Sequence, residues 1–189
     1  MNNEHFLFVV SGPSGSGKDT IVCNLQKEHP EIERSISATS RGMRLGEKEG
    51  VNYYYLTPER FKELIENDEI LEYTQFCGNF YGTLKREVDK RLANKTITIL
   101  VIEVEGARNI KRIYPDCTTV FVRPPSYEEL SRRLHLRNTE DEATIEKRLA
   151  RALEEIEYAV DYDHIIINDD IDTCTQDLYD IIIEQTADE

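Results

Sequence analysis

His5-Phe6-Leu7-Phe8-Val9-Val10-Ser11-Gly12-Pro13-Ser14-Gly15-Ser16-Gly17-Lys18 joins an apolar run to a glycine-rich turn that ends on a lysine. The stretch from His5 to Ser11 reads as a strand. Beyond the turn, Ile21, Val22 and Leu25 recur at helical spacing, which predicts a helix to about Glu28. Between a strand and a helix, G-x-x-x-x-G-K is a phosphate loop: its glycines let backbone N–H groups converge on phosphate oxygens at a helix N-terminus. Lys18 adds a mobile positive charge toward the β and γ phosphates. The next position ordinarily carries Ser or Thr, whose hydroxyl ligates magnesium, but here it is Asp19, followed by Thr20. Either Asp19 and Thr20 supply the metal's oxygen ligands, or Asp19 complements the positive helix N-terminus; spacing leaves both open.

Outward from this loop the chain alternates strands and helices. Thr96 to Val104, Thr118 to Arg123 and His164 to Asn168 are apolar without polar alternation, as strands covered on both faces require. Helical patterns cover Ala107 to Ile113, Ser126 to about Arg137, Thr144 to Tyr158 and Ile171 to Glu184, the last after an Asn-Asp-Asp cap. The expected fold is α/β, a parallel sheet with helices on both faces. One stretch breaks the rhythm. Between about Ser35 and Leu92, V-N-Y-Y-Y-L-T precedes a helix with Thr57 as N-cap and Pro58 in first position, and E-I-L-E-Y-T-Q-F is followed by a Gly78-Asn79 turn and F-Y-G-T. This predicts an inserted α+β subdomain with its own antiparallel sheet, and residues 126–159 form a second, helical insertion.

In 189 residues, 37 Asp and Glu face 23 Lys and Arg, a formal net charge of −14. So acidic a surface argues against nucleic acid or anionic membrane as the main partner, and any bound anion must meet a local cluster of cations. Cys23, Cys77, Cys117 and Cys174 lie far apart, fitting neither a disulfide framework nor zinc-ligand spacing. The apolar start, Phe6 to Val10, is too short for a signal peptide, and no run approaches a membrane span. The expected location is cytoplasmic.

Arg41 and Arg44 sit three apart among small residues and precede Tyr53, Tyr54 and Tyr55. Guanidinium forks bind phosphate oxygens bidentately, so the pair suits a second phosphate site; the alternative is surface pairing with Glu47 or Glu49. Tyr81 and Thr83 share one strand face. Glu72 is an acceptor-only side chain when ionised, which suits a guanine edge with its N1–H and N2–H2 donors. Its strand alternation leaves open which face is wet.

These residues carry a resemblance. G-P-S-G-S-G-K, the S-x-x-S-R-x-x-R-x-G-E-x-x-G-x-x-Y run from Ser37 to Tyr53, E-x-x-x-F-x-G-N-x-Y-G-T from Glu72 to Thr83, P-P-S-x-x-x-L-x-x-R-L-x-x-R from Pro124 to Arg137 and I-N-D-D from Ile167 to Asp170 follow in order. From about Phe8 to Ile183 the chain resembles the guanylate kinases of the nucleoside-monophosphate kinase superfamily. The resemblance implies a P-loop core at about 1–34, 93–125 and 160–189, a GMP-binding subdomain at about 35–92 and a helical lid at about 126–159. It implies that Ser37, Arg41, Arg44, Tyr53 and Tyr81 hold the GMP phosphate and that Glu72 and Thr83 read the base. ATP is implied at Gly12 to Thr20, with Mg2+ as cofactor and Asn168 near the adenine. The family's L-D-I-D-x-Q-G strand is here Leu100-Val101-Ile102-Glu103-Val104-Glu105-Gly106, which leaves Glu103 as a longer-armed substitute on the GMP side.

Arg133 and Arg137 are like-charged i, i+4 neighbours that an anion would relieve. Arg151 has Glu154 and Glu155 within helical reach and reads as a surface ion pair, whereas Arg148 has no carboxylate at those spacings and reads as the freer of the two. The resemblance accordingly sets Lys18, Arg133, Arg137 and Arg148 on the ATP phosphates in catalysis. The implied reaction is ATP + GMP to ADP + GDP, in purine nucleotide metabolism. Two alternatives remain: a ribose 1,5-bisphosphate kinase, which shares G-K-D after the loop and lacks need of Glu72, Tyr81 and Thr83, and a non-catalytic guanylate-kinase-like binding module, against which the intact loop speaks.

Overall fold

The computed structural model describes residues 3–76, 78–136 and 141–187. Its first strand, β1 (Leu7–Ser11), is buried throughout. His5 and Phe6, expected in the strand, lie instead in a short 3-10 turn closed by the Phe6 N–H on the Asn3 carbonyl at 3.1 Å. The loop leads into α1 (Lys18–Glu28), then β2 (Glu33–Arg34), β3 (Ala38–Thr39) and β4 (Tyr54–Tyr55). Next come α2 (Pro58–Glu66), β5 (Ile70–Phe76), β6 (Asn79–Leu84) and α3 (Lys85–Ala93). The chain continues through β7 (Thr98–Val101), α4 (Val104–Ile113), β8 (Thr118–Arg123), α5 (Tyr127–Leu136), α6 (Glu142–Glu157), β9 (His164–Ile167) and α7 (Ile171–Thr186).

Two expected caps are present: Thr57 accepts from the Arg60 N–H ahead of Pro58, and Asp170 accepts from the Thr173 N–H at 2.9 Å. Strand β7 is shorter than the apolar run suggested. Glu103 is already an extended N-cap, and Val104 starts α4, where it buries against Phe121 and Ala159. Tertiary burial outweighs the β-propensity of that valine.

Five strands form a parallel sheet in the order β2-β7-β1-β8-β9. Along β1 the pleat sends alternate side chains to opposite layers. Phe8 and Val10 pack with Ile21, Val22 and Leu25 of α1 and with Leu178 and Ile182 of α7. Leu7 and Val9 pack with Ala107 and Ile110 of α4 and with Val88 and Leu92 of α3. Both faces are thereby covered, as an all-parallel sheet requires.

The second sheet has the order β4-β3-β6-β5. Its β3-β6 and β5-β6 pairs are antiparallel, but β3 and β4 pair in parallel, so the expected antiparallel sheet is mixed. It has its own core of Ala38, Phe61, Leu64 and Leu84. The helices α5 and α6 share a third core, Leu130 and Leu134 against Ile145, Leu149 and Ala152.

Leu25 is fully buried between α1 and the sheet. Leu25→Ala should cost about 2–5 kcal/mol, lowering the thermal midpoint by roughly 10 °C at about 2–4 °C per kcal/mol for a chain of this size. Differential scanning calorimetry checks this.

Candidate active site

The phosphate loop occupies the C-terminal end of β1, the central strand. Gly12 has φ 142°, and a Cβ there would lie 2.0 Å from the Val122 carbonyl oxygen on β8. Gly17, the N-cap of α1, has φ 91°, and its Cβ would meet Asn168 Nδ2 at 2.1 Å. Only glycine fits either place. Lys18 is buried at 8% exposure, and its Nζ donates to the Gly12 carbonyl at 3.0 Å.

Cations and an amide grip the loop from the far side of the sheet end. Arg133 Nη2 donates to the Asn168 carbonyl at 2.8 Å and Nη1 to the Ser16 carbonyl at 3.4 Å, while its Nε donates to Glu129 at 2.7 Å. Arg148, the freer of the two by helical spacing, donates to Ser14 Oγ on the loop. Arg137 lies outside the described residues. Asn168, expected beside the adenine, is buried behind the loop and donates Nδ2–H to the Ser16 carbonyl at 2.7 Å.

A cavity of about 1090 Å³ runs from Ser14, Lys18, Asp19 and Thr20 to Ser37, Tyr53, Glu72, Tyr81 and Glu103. On its far wall Glu72 is 6% exposed while its neighbour Tyr73 is 51% exposed, which settles the face that sequence alternation left open. Thr83 lies behind Glu72 and donates from Oγ1 to Oε1 at 2.6 Å. Burial pushes the Glu72 carboxyl above the usual carboxylate range, repulsion from Glu103 adds to that, and the Thr83 hydrogen bond opposes it.

Neither Arg41 nor Arg44 lines the cavity. Arg41 forks onto Glu47, at 2.8 and 3.0 Å, the carboxylate pairing that the sequence offered as the alternative. Its guanidinium stands 5.5 Å from the centre of the Tyr53 ring, and that ring meets Tyr81 edge-on at 6.0 Å. Glu47 also accepts from the Arg44 N–H and the Tyr55 hydroxyl, each at 2.7 Å. Arg41 first, then those two donors, hold the Glu47 carboxyl down to about 2. Arg44 extends into solvent.

Sequence reading missed two pairings here. Asp19 Oδ1 accepts from Arg34 Nη2 at 2.9 Å, and both residues line the cavity. Arg151 pairs with Glu155 at 2.8 Å, as its spacing predicted, and also with Glu103 at 3.2 Å, 48 positions away. Nothing in E-R-S-I-S marks Arg34, and helical spacing cannot reveal a partner on another element. Glu155 is buried, and burial first, then Glu103, raises its hold on a proton. Among the described residues no three His, Cys, Asp or Glu side chains form a metal cage.

The family model described as guanylate kinase matches residues 5–185 of the chain. A guanylate kinase of Clostridioides difficile is 48% identical over 176 residues, covering 93% of this chain and 86% of the relative. One from Fusobacterium nucleatum is 47% identical, covering 93% and 95%. The crystal structure of guanylate kinase from Anaplasma phagocytophilum superposes with a TM-score of 0.75 at 32% identity, covering 95% of this chain and 86% of that one. A shikimate kinase from Bacteroides thetaiotaomicron, at TM-score 0.51 and 14% identity over 93% of this chain and 97% of that one, shares the fold alone.

The buried carboxyl sets a stability trade. An unfolded Glu72 ionises near 4.5, and the folded one at higher pH, so ionising it costs stability as pH rises above 4.5. Glu72→Gln keeps an acceptor for Thr83 without the charge. It should therefore resist urea better than the parent at pH 7, with the difference closing as pH falls toward 4.5.

Proposed function

The chain belongs to the guanylate kinase family, and from that premise we propose how its own residues divide the work of the reaction. The enzyme transfers the γ-phosphoryl group of ATP to GMP, giving ADP and GDP. The observation that carries the assignment of sites is one cavity with a phosphate loop on one wall and a buried carboxylate on the other.

ATP phosphates occupy the loop from Gly12 to Lys18. To receive them, Lys18 Nζ exchanges the Gly12 carbonyl for phosphate oxygens at the N-terminus of α1. Arg133 and Arg148 already touch the loop, so a small rotation of either guanidinium reaches the same oxygens. The attacking group is a phosphate oxygen, already ionised at neutral pH, so the site needs no general base. Rate comes from positioning and from neutralising charge on the transferred phosphoryl. Closure of the β3–β6 sheet and of α5 and α6 over the cavity excludes water, which would otherwise accept the phosphoryl.

On the GMP wall, Glu72 and Thr83 read the base, and Ser37, Tyr53 and Tyr81 surround the nucleotide, with Glu103 beside it. The guanine N1–H and N2–H2 supply two donors to the Glu72 carboxylate in place of lost water. For Arg41 to reach the GMP phosphate, that phosphate must displace Glu47 from the guanidinium fork. The cavity's guanine-reading carboxylate favours GMP over a sugar bisphosphate as acceptor.

Asp19 and Thr20 offer hard oxygen donors beside Lys18, a set that fits Mg2+, which takes one or two protein oxygens with substrate phosphates and water completing its shell. The ion would offset the negative charge of the substrate phosphates. Arg34 holds Asp19 through Oδ1 alone, in an exposed pair worth little to the fold, so the carboxylate can turn to such an ion. We place the enzyme in the cytoplasm, in purine nucleotide metabolism; its four cysteines lie far apart in the sequence, without the spacing of a disulfide framework.

A coupled ADP-release assay with GMP, AMP, UMP, CMP and ribose 1,5-bisphosphate as acceptors tests the reading. GMP-selective turnover that stops on chelation of Mg2+ is the expected result; turnover with the ribose bisphosphate alone would overturn the base assignment. Lys18→Ala should lower kcat by about 10²–10³ or more, the scale for removing one preorganised positive donor. The GMP KM should rise as pH falls into the range where Glu72 is protonated, while the ATP KM follows it less, because only guanine requires the ionised carboxylate.

A further inference from the structure

Glu72 spans two layers of the molecule. Its Oε1 accepts from Thr83 on the neighbouring strand of the mixed sheet, and its side chain lies across the first turn of α4, in the parallel-sheet layer. The contact point on α4 is Gly106, the third residue of that helix. A Cβ built on Gly106 would stand 2.6 Å from Glu72 Oε2, 3.1 Å from Cδ and 3.2 Å from Cγ. Glycine is the poorest helix former after proline, and Gly106 has an ordinary helical setting between Glu105 and Ala107. Its missing side chain therefore answers to Glu72, and the positive N-terminal turn of α4 suits a carboxylate laid against it.

We propose that Gly106 is a specificity-determining position: its bare backbone forms the second seat of the Glu72 carboxylate, and that seat fixes where the guanine-reading oxygens stand. Gly106 is buried and is not part of the cavity wall, so it acts through Glu72 as a positioning residue. The atoms a methyl would strike all belong to the Glu72 side chain and none to backbone. A methyl there leaves the fold intact and moves the carboxylate off its seat. The inference rests on the reading of Glu72 as the guanine contact.

Gly106→Ala is the direct test. Its GMP KM should rise about 10- to 100-fold, the scale of a misplacement near 1 Å, with the ATP KM unchanged and the GMP/AMP selectivity reduced. Thermal unfolding should show a midpoint no lower than the parent's, since alanine favours the helix. Rescue distinguishes a seat from a general packing defect. Glu72→Asp retracts the carboxylate by one methylene, so in the Gly106→Ala background it should cost less than in the parent, a coupling read from the double-mutant cycle.

An unchanged GMP KM in a folded Gly106→Ala protein, strict additivity of the two substitutions, or an equal rise in the ATP KM would overturn the proposal. If Gly106→Ala fails to fold, the double variant decides: recovery of folding supports the carboxylate contact, and its failure counts against it. A Glu72→Ala enzyme that discriminates GMP from AMP as well as the parent does keeps these outcomes apart, for that result removes the reading of Glu72 itself.

Discussion

The Val122 carbonyl oxygen occupies the space in which a side chain on Gly12 would stand, 2.0 Å from its Cβ. That approach is possible because β1 and β8 are parallel neighbours and the chain leaves β1 at Ser11 with no lateral room. The turn must bend with φ values only glycine adopts freely, and it delivers Gly17 as the cap of α1, pressed on Asn168. The placement of the cations around the loop follows from this. Lys18 Nζ lies against the Gly12 carbonyl, and Arg133 reaches the loop and Asn168 together. A loop held so closely by backbone and buried amide is preorganised, so little ordering remains when an anion arrives.

The opposite wall obeys a different rule. A carboxylate at 6% exposure is unfavourable unless something fixes it, and Glu72 is fixed by one hydrogen bond and one bare helix turn drawn from separate layers. The site thus holds stored free energy that a ligand with paired donors can recover. Stability is lowered at this carboxylate, as at other buried ionisable groups. The sheet carrying Glu72 and the helix carrying Gly106 are covalently distant, which makes the carboxylate's position sensitive to how the two layers meet.

Charge is arranged on the same logic. A chain of net −14 repels anions at long range, yet two of its substrates are polyanions. The cations around the cavity are each held by a neighbour: Arg41 by Glu47, Arg34 by Asp19, Arg151 by Glu103 and Glu155, Arg133 by Glu129 and loop carbonyls. Carboxylate partners keep the guanidinium groups oriented, and at Arg41 the two-pronged pairing with Glu47 is the geometry that a phosphate would also take. The cost of exchange is small where the pair is exposed, as at Arg34, and larger where aromatic rings enclose it, as at Arg41.

The sequence by itself determined the loop, the alternation of strands and helices, the capped starts at Thr57 and Asp170, and the inserted sheet, because these depend on neighbours within a few positions. Hydrophobic period, glycine placement and cap residues are local properties, and they are legible one segment at a time. It misjudged the ends of β1 and β7, where Phe6 and Val104 are apolar and β-prone but the backbone turns for the sake of packing. Only the tertiary structure decided that Glu72 faces inward, that Arg148 rests on Ser14, that Asp19 meets Arg34 and that Gly106 lies beneath a carboxylate from another layer. Each of these joins residues tens of positions apart, except for Asp19 and Arg34, where a helix and a loop intervene. No spacing rule encodes such contacts, for they arise when two independently formed layers are brought to one distance by the cores that they bury.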